Sequence, residues 1–460
     1  MIFTEGKFFV FFAVAFGVYW TIRSNLWRKL WLLACSIAFY AAWDWRFLGL
    51  VLLVIVNTYA VTLLTVRMPS PSGRRAVLAA GIVVSLSVLG LFKYYNFFVA
   101  SLSQIIALDA RIEGLILPIG ISFYTFHSLS YMIDVYRSRI VPTRSFIDVS
   151  LYILFFPQLV AGPIVRATDL LPQLRNLRAF TAVDFKLLLA IFLIGYFKKA
   201  LVSDNLSPLV EAFYAAPENF GAVDGLIATL FYTVQIYCDF SGYTDMAIAV
   251  AGMLGYQLRP NFDHPYLAAS LIDFWRRWHM SLSSWLRDYL YIPLGGSRHG
   301  PLVQARNILI TMLLGGLWHG ASWTFVLWGG LHGAGLIINR AWRAFRRPGD
   351  EHGYWLAGNA LTFAFVWFAW ILFRSPSLET AIAVLRRFTV WSPPALLPWQ
   401  AAAGALMALA VVHAASRRIN LKVLLSATND AAFAFGYGAA VALILPFVNV
   451  AVQPFIYFQF

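Results

Sequence analysis

Long, uninterrupted apolar runs are the feature that most constrains what this chain can fold into. The runs Phe47–Val66 and Ala431–Val448 are close to the roughly 20 residues with which an α-helix crosses a hydrocarbon core of about 30 Å. Charged residues make up 12% of the 460 residues, where a soluble domain has roughly 25%. This composition argues against a soluble enzyme and against a disordered chain. Because the runs are continuous and do not alternate, the sequence predicts an all-α polytopic membrane protein instead of a β-barrel.

Candidate spans are spread along the whole sequence. Apolar stretches predict membrane-spanning helices at residues 7–21, 29–43, 47–66, 76–98, 187–203, 222–238, 355–373, 399–415 and 431–449. Further stretches are apolar but interrupted by polar residues, proline or glycine, at 115–133, 148–165, 243–256 and 307–340. No repeat and no long linker divides the sequence, so residues 1–460 are predicted to form a single integral-membrane domain.

The basic excess of the chain has a topological explanation. With 35 Lys and Arg against 21 Asp and Glu, the formal net charge is +14. The loops 21–29 and 67–75 are basic and contain no acid, whereas the 44–46 turn is neutral and 109–113 is net acidic. This alternation follows the positive-inside rule with an extracytoplasmic N-terminus. We therefore expect membrane lipids as partners and no nucleic acid.

Metal and cofactor motifs do not occur in the sequence. Cys35 and Cys238 lie in separate apolar stretches, away from any histidine, and predict neither a disulfide framework nor a metal cluster. No glycine-rich loop follows a predicted strand, so a nucleotide-binding fold is not supported. We expect no metal and no tightly bound cofactor.

The segment Leu271–Leu290 differs from the spans because it combines arginines with many aromatic residues. It is predicted to form an amphipathic helix in the cytoplasmic interface. Arg276 and Arg277 are candidate ligands for a phosphate-bearing donor, because guanidinium groups bind phosphates. Trp278, the next residue, is a further candidate for the donor site. His279 follows it and is a second candidate for function. The alternative is that the two arginines only anchor the helix to lipid phosphates.

The stretch 307–340 contains the strongest catalytic candidate, His319. Basic residues flank the stretch on both sides, which predicts a segment that enters the membrane and returns. As a helix, residues 307–317 cover only about 16 Å, which places His319 near the midplane. An ionisable side chain at that depth is costly and typically functional, and imidazole suits acid–base chemistry near neutral pH. The alternative is a packed histidine that bonds a backbone carbonyl.

Two acids interrupt a third apolar stretch. In Gln235–Asp245, Asp239 and Asp245 are candidates to line a cavity or to relay protons. Helix–helix hydrogen bonding through the neighbouring Ser, Thr and Tyr residues is the alternative.

His127 follows another run broken by proline and glycine, and we interpret it as a structural hydrogen-bonding residue.

Several segments together resemble the membrane-bound O-acyltransferase family, and specifically its bacterial alginate O-acetyltransferase-like branch. The resemblance covers essentially the whole chain in order, so it is more specific than a single Trp-His-Gly motif. The segments are Leu117–Tyr136, Phe155–Val165, Gln235–Ala249, Asn261–Gly296, Gly315–Leu331 and Pro454–Phe460.

The resemblance implies a bundle of about eleven or more transmembrane helices, with re-entrant and interfacial helices, around a central tunnel. It implies that His319, in Trp318-His319-Gly320, is the catalytic histidine, as a base or as a transient acyl carrier. His279 matches the family's second histidine. Trp318, the neighbour of His319 in the sequence, is expected at the donor site.

Members of this family move an acyl group from a cytoplasmic donor to an extracytoplasmic acceptor. The resemblance implies acetyl-CoA as the donor and a hydroxyl of an extracytoplasmic polysaccharide as the acceptor. In many members an esterase-like relay protein stands between the two. It also implies a multi-pass protein of the bacterial cytoplasmic (inner) membrane.

Other functions are compatible with the residues. A transporter or export subunit for the polymer or the acyl carrier would use Asp239 and Asp245 in gating. A non-catalytic scaffold of a synthase would tolerate loss of both histidines. Within the enzyme class, related proteins O-acetylate peptidoglycan or transfer D-alanine to teichoic acid from a carrier-protein thioester.

Overall fold

The computed structural model describes most of the chain as helix. The described residues are 1–106, 110–159, 162–345, 355–389, 391–393, 396–397, 399–448 and 456. No β-strand occurs within these ranges, which confirms the all-α prediction. Apart from Ile456, the segment Pro454–Phe460, part of the family resemblance, lies outside them.

The helices follow one another with short connections. In the first half of the chain they are α1 (Gly6–Thr21), α2 (Asn25–Asp44), α3 (Leu48–Arg67), α4 (Pro71–Leu89), α5 (Tyr95–Leu102), α6 (Ile121–Tyr136), α7 (Phe146–Leu154), α8 (Phe156–Leu159), α9 (Ala167–Arg175), α10 (Phe185–Tyr196) and α11 (Asp204–Ala215). In the second half they are α12 (Ala222–Met253), α13 (Leu271–Arg277), α14 (Met280–Leu286), α15 (Gly300–His319), α16 (Trp323–Phe345), α17 (Trp355–Arg374), α18 (Leu378–Arg387), α19 (Trp399–Ser416), α20 (Leu421–Ser426) and α21 (Asp430–Ile444).

Short segments of other helix types join these elements. Among the described residues, Gly90–Tyr94, Phe197–Ser203 and Arg287–Tyr291 are π-helical. Single 3₁₀ turns occur at Trp45–Phe47, Phe180–Ala182, Pro217–Asn219, Pro265–Leu267 and Leu445–Phe447.

Contacts between Cα atoms divide the chain into two compact units. One is Met1–Phe192 with Thr244–Arg259, and the other is Leu193–Tyr243 with Pro260–Phe460. The single-domain interpretation stays a prediction.

Four helical stretches among the described residues are long and apolar enough to cross a membrane, at Asn25–Arg67, Pro71–Leu102, Trp355–Arg374 and Asp430–Phe447. They coincide with spans predicted from the apolar runs and make this a membrane protein by length and composition. The larger number of spans that the family resemblance implies is not confirmed.

The first unit packs through small and polar residues, as membrane helices do. The Thr58 and Ser128 hydroxyls of α3 and α6 lie 2.6 Å apart, and the Asn57 amide donates to Ser85 Oγ at 3.0 Å. A Cβ on Gly81 of α4 would overlap the side chains of Val61 and Met132, so glycine permits this close approach. All of these polar groups are satisfied between helices, where no water is needed.

One prediction about a helix is wrong. The segment Leu271–Leu290 is not one amphipathic helix, because α13 ends at Arg277 and α14 begins at Met280. The residue between them, His279, has φ 44° and ψ 53°, a left-handed conformation that an α-helix cannot contain. The break turns Trp278 and His279 inward, and both are buried, so they do not lie on an interfacial surface.

The sequence places His319 near the midplane because residues 307–317, as a helix, cover about 16 Å. These residues are helical within α15, which has 20 residues and begins at Gly300. The depth of His319 in the membrane stays a prediction. The predicted break after His319 is confirmed, because Gly320 is extended at φ −158° and ψ 150° and α16 starts at Trp323.

Candidate active site

His319 is the last residue of α15 and is 3% exposed. It is held there by a hairpin of α15 and α16 whose backbones approach closely. A Cβ on Gly316 would overlap the Phe325 carbonyl, and a Cβ on Gly329 would overlap the Met312 carbonyl. Only glycine permits this contact on both helices, which fixes the position of the α15 end.

Aromatic rings surround the His319 imidazole on several sides. Its ring centroid lies 5.0 Å from that of Trp318, 5.1 Å from that of Trp328 and 5.2 Å from that of Phe373. The Trp328 ring meets it edge to face, at an interplanar angle of 90°. Such a wall excludes water and strengthens every electrostatic interaction that a reacting group makes inside it.

The second histidine candidate belongs to the same cluster of rings. The His279 ring centroid is 6.4 Å from that of His319, 5.9 Å from that of Trp318 and 4.6 Å from that of Phe240. His279 is completely buried. The structure therefore brings together two histidines that are 40 positions apart in the sequence.

Polar contacts of His279 come from one asparagine. Its Nδ1 lies 3.2 Å from Asn261 Oδ1. His279 is in the short connection between α13 and α14, outside the helices long enough to span a membrane. Burial lowers the pKa of its imidazole to about 3, so the ring is neutral at physiological pH.

The two predicted donor-binding arginines have different surroundings. Arg276 is exposed on α13. Arg277 Nε donates to Asp273 Oδ1 at 2.9 Å, and its Nη1 lies 3.7 Å from Asp263 Oδ2. Arg277 is thus held by two carboxylates, whereas Arg276 presents its guanidinium outward. Of the pair, Arg276 is the better placed to meet an anionic donor.

The two tryptophans beside the histidines also differ. Trp318 touches both imidazoles, with ring centroids at 5.0 and 5.9 Å. Trp278 is 1% exposed, stacked on Phe274 at 5.6 Å and 5.0 Å from Trp370, which in turn stacks on Trp328 at 5.9 Å. Trp318 therefore lines the histidine cluster, and Trp278 supports it from behind.

Asp239 belongs to a buried cluster of charges. Lys199 Nζ lies 2.5 Å from Asp239 Oδ1 and 2.7 Å from Asp204 Oδ1, and all three side chains are at most 6% exposed. Asp239 Oδ2 also accepts the backbone N–H of Ile456 at 2.9 Å. Asp245 belongs to the other compact unit and is half-buried. The role of the two acids in lining a cavity or relaying protons stays a prediction.

Sequence reasoning missed three residues of this region. Asn261 was part of a segment quoted for the family resemblance, but nothing in the pattern marked its contact with His279. Lys199 lies inside the predicted span 187–203 and Asp204 directly follows it. A charged residue within an apolar run was the available signal. Among the described residues, no group of three or more His, Cys, Asp or Glu side chains could hold a metal ion.

Apolar helices of spanning length, with two buried imidazoles in an aromatic cluster, define an integral membrane protein equipped for acid–base chemistry. The sequence model of MBOAT, the membrane-bound O-acyltransferase family, matches residues 37–378. This chain belongs to the membrane-bound O-acyltransferase family and is an acyltransferase.

Known relatives cover most of the chain. A probable alginate O-acetylase AlgI of Azotobacter vinelandii is 42% identical over 389 residues, which are 83% of this chain and 76% of the relative. A peptidoglycan O-acetyltransferase of Helicobacter pylori is 36% identical over 412 residues, or 82% of this chain and 77% of the relative. A teichoic acid D-alanyltransferase of Streptococcus thermophilus is 27% identical over 268 residues, which are 55% of this chain and 64% of the relative.

Proposed function

We propose that this protein transfers an acetyl group from acetyl-CoA, bound from the cytoplasm, to a hydroxyl of an extracytoplasmic polysaccharide or of a relay protein. The observation that carries the proposal is the buried pair His319 and His279, with ring centroids 6.4 Å apart. The identity of 42% to probable alginate O-acetylases supports acetyl as the group and a polysaccharide as the acceptor.

The chemistry needs a base and a dry site. A neutral imidazole takes the proton of the attacking hydroxyl while the hydroxyl oxygen bonds to the thioester carbonyl carbon. The carbon–sulfur bond then breaks, and the thiolate leaves with the proton to give free thiol. The aromatic wall around His319 keeps water from hydrolysing the thioester.

Donor and partners follow from the same proposal. Arg276 is the residue we propose to contact the donor phosphates, and Trp318 lines the path of the acyl group. We place the protein in the bacterial inner membrane, with lipids around it and an esterase-like protein as a candidate relay. The chain is an acyltransferase by family, which argues against the transporter and scaffold alternatives.

A second acceptor is supported by a specific observation. The peptidoglycan O-acetyltransferase relative is 36% identical and aligns over nearly the same share of the chain as the alginate relatives. Peptidoglycan therefore stays the second candidate. D-Alanyl transfer to teichoic acid is the third, since that relative is 27% identical over 55% of the chain.

The decisive experiment measures ester-linked acetyl in exopolysaccharide and in peptidoglycan separately. Cells with the wild-type protein, with His319→Ala, with His299→Ala and without the protein are compared at equal membrane levels of protein. His299 is an exposed histidine and serves as the matched control.

We expect acetyl to fall equally in the His319→Ala strain and in the strain without protein, while His299→Ala stays normal and polymer yield holds. Loss from peptidoglycan alone would replace the first acceptor by the second. Unchanged acetyl in both polymers without the protein would overturn the proposed function.

A further inference from the structure

Asn261 makes an unusual number of contacts with the turn that carries His279. Its backbone carbonyl accepts the Met280 N–H at 2.9 Å. Its side-chain Oδ1 lies 3.0 Å from Ser281 N, 2.9 Å from Ser281 Oγ and 3.2 Å from His279 Nδ1. Asn261 itself is 1% exposed. One buried asparagine thus contacts three consecutive residues.

These contacts determine where the protons are. A backbone N–H can only donate, so the Asn261 atom that faces Ser281 N must be the amide oxygen and not the nitrogen. The same oxygen faces His279 Nδ1, and an amide oxygen can only accept. His279 Nδ1 therefore carries the ring proton, and in the neutral ring Nε2 carries the lone pair.

That lone pair is available. His279 Nε2 is buried and has no hydrogen-bond partner in the part of the chain that the structure describes. The titratable group that faces the ring is His319 of α15, and the other rings in contact are Phe240 and Trp318. A buried acceptor of this kind calls for a donor, and a substrate hydroxyl can supply one.

The two imidazoles do not bond each other directly. A ring nitrogen lies about 1.2 Å from its ring centroid, so centroids 6.4 Å apart keep the nitrogens of His279 and His319 at least about 4 Å apart, beyond hydrogen-bond distance. A hydrogen-bond donor for His279 Nε2 therefore has to come from outside the pair of rings. A substrate hydroxyl is such a donor.

The backbone of His279 shows that its position is imposed. Its φ of 44° is a strained conformation for a residue with a side chain, and such residues persist only where the surroundings hold them. Asn261 does so, because it bonds the amides of Met280 and Ser281 directly after the strained residue. The same side chain therefore sets the backbone turn and the tautomer.

We infer that Asn261 is a positioning residue that makes His279 the proton acceptor of the histidine pair, with Nε2 as the accepting atom. This inference rests on the proposed role of the pair in acyl transfer. The O–H bond of the acceptor hydroxyl breaks as its oxygen bonds to the thioester carbonyl carbon, and the proton moves to Nε2. The carbon–sulfur bond breaks with the electron pair on sulfur, and Nε2–H returns the proton to the thiolate. Nδ1–H stays on Asn261 throughout.

The test compares Asn261→Asp, Asn261→Ala and a control, Asn359→Ala, in the full-length protein in detergent, with acetyl-CoA and a soluble oligosaccharide. Asn359 is a partly buried asparagine of the same unit that ties two backbone carbonyls, those of Tyr266 and Ala268, and touches neither histidine. Thermal unfolding of each variant reports whether it is folded.

Asn261→Asp keeps an acceptor for both N–H groups but adds a negative charge beside Nδ1. A carboxylate favours the imidazolium, so the acidic limb of the kcat–pH profile is expected to move to higher pH, with activity retained above it. Asn261→Ala is expected to lower kcat about 10²-fold or more at every pH. In a His279→Ala background, either change is expected to have no further effect on kcat.

Ring ¹⁵N shifts of labelled histidine give a readout without activity, with His279→Gln identifying the signals of His279. The expected spectrum shows a proton on Nδ1 in wild type and a mixture of tautomers in Asn261→Ala. A proton on Nε2 in wild type would overturn the inference. So would folded Asn261 variants with a wild-type pH profile and wild-type kcat. If His279→Ala were also fully active, the proposed role of the pair would fail with it.

Discussion

Two buried histidines, His127 in the first unit and His279 in the second, show how the same burial leads to different chemistry. His127 Nε2 accepts the backbone N–H of Val165 at 3.2 Å, so its one lone pair is already used. His279 has its Nδ1–H on Asn261, and its Nε2 lone pair has no hydrogen-bond partner among the described residues. Both side chains are 0% exposed. Burial alone therefore does not identify a base, whereas the direction of the hydrogen bonds does.

A third case supports this comparison. His332 is also completely buried, and its Nδ1 accepts the Trp275 indole N–H at 3.2 Å. Its lone pair is used by a side chain, as that of His127 is used by the backbone. Among these three histidines, His279 is the one that can take a proton without losing an existing bond.

The largest expected difference in activity is between the glutamine variants of His279 and His127. His279→Gln removes the basic nitrogen and is expected to lower acetyl transfer by about 10²–10⁴-fold. His127→Gln keeps an acceptor for the Val165 amide and is expected to stay within a few-fold of wild type. Acetyl transfer in purified membranes measures both. Equal losses in the two variants would show that the comparison is wrong.

The buried charge cluster should respond most strongly in stability. Lys199→Met leaves the carboxylates of Asp204 and Asp239 without their cation, and the free energy of unfolding is expected to fall by about 3–5 kcal/mol. Denaturation in detergent measures this. The triple variant Lys199→Met, Asp204→Asn and Asp239→Asn has no unpaired charge and should recover much of the lost free energy of unfolding. No recovery would mean that charge is not the cause of the loss.

The α15–α16 contact that positions His319 gives a stability prediction of intermediate size. Gly316→Ala forces a Cβ into the Phe325 carbonyl and is expected to destabilise by about 1–3 kcal/mol and to lower activity through His319. Gly17→Ala in α1 is the matched control, since nothing lies within 4 Å of its Cβ position. Thermal unfolding separates them, and similar shifts in both would argue against a close helix contact.

The structural role of His127 can be measured apart from activity. His127→Ala leaves the buried Val165 N–H without its acceptor and is expected to cost about 1–3 kcal/mol of stability, most of which His127→Gln should restore. Unfolding curves of the two variants are the test. If glutamine restores nothing, the backbone hydrogen bond is not what His127 contributes.

The smallest expected effect concerns the arginines. Arg276→Ala is expected to raise the KM for acetyl-CoA up to about 5-fold, because one exposed ion pair contributes up to about 1 kcal/mol. Arg277→Ala should instead lower stability, since it removes contacts with Asp273 and Asp263. Initial rates at varied acetyl-CoA concentration measure the KM of each variant. An unchanged KM in Arg276→Ala would show that Arg276 does not contact the donor.

Much of the architecture could be predicted from local sequence. Hydropathy adds along a run of residues, so Leu48–Arg67 and Trp355–Arg374 were recognisable as membrane helices without any knowledge of their neighbours. The break after His319 was also predictable, because Gly320 follows it. For His319 and His279, residue type and the family motifs sufficed to nominate them.

What the sequence could not supply are the relations between distant residues. Three such relations join residues 18 or more positions apart. They are the contact of His279 with His319, the hydrogen bonds of Asn261 to residues 279–281 and the ion pair of Lys199 with Asp239. The same holds for the left-handed backbone at His279, which broke a helix that the amphipathic pattern favoured. Hydropathy and helix propensity are properties of a short segment, whereas a tautomer, a buried ion pair or a strained turn depends on which groups the folded chain brings within about 3 Å.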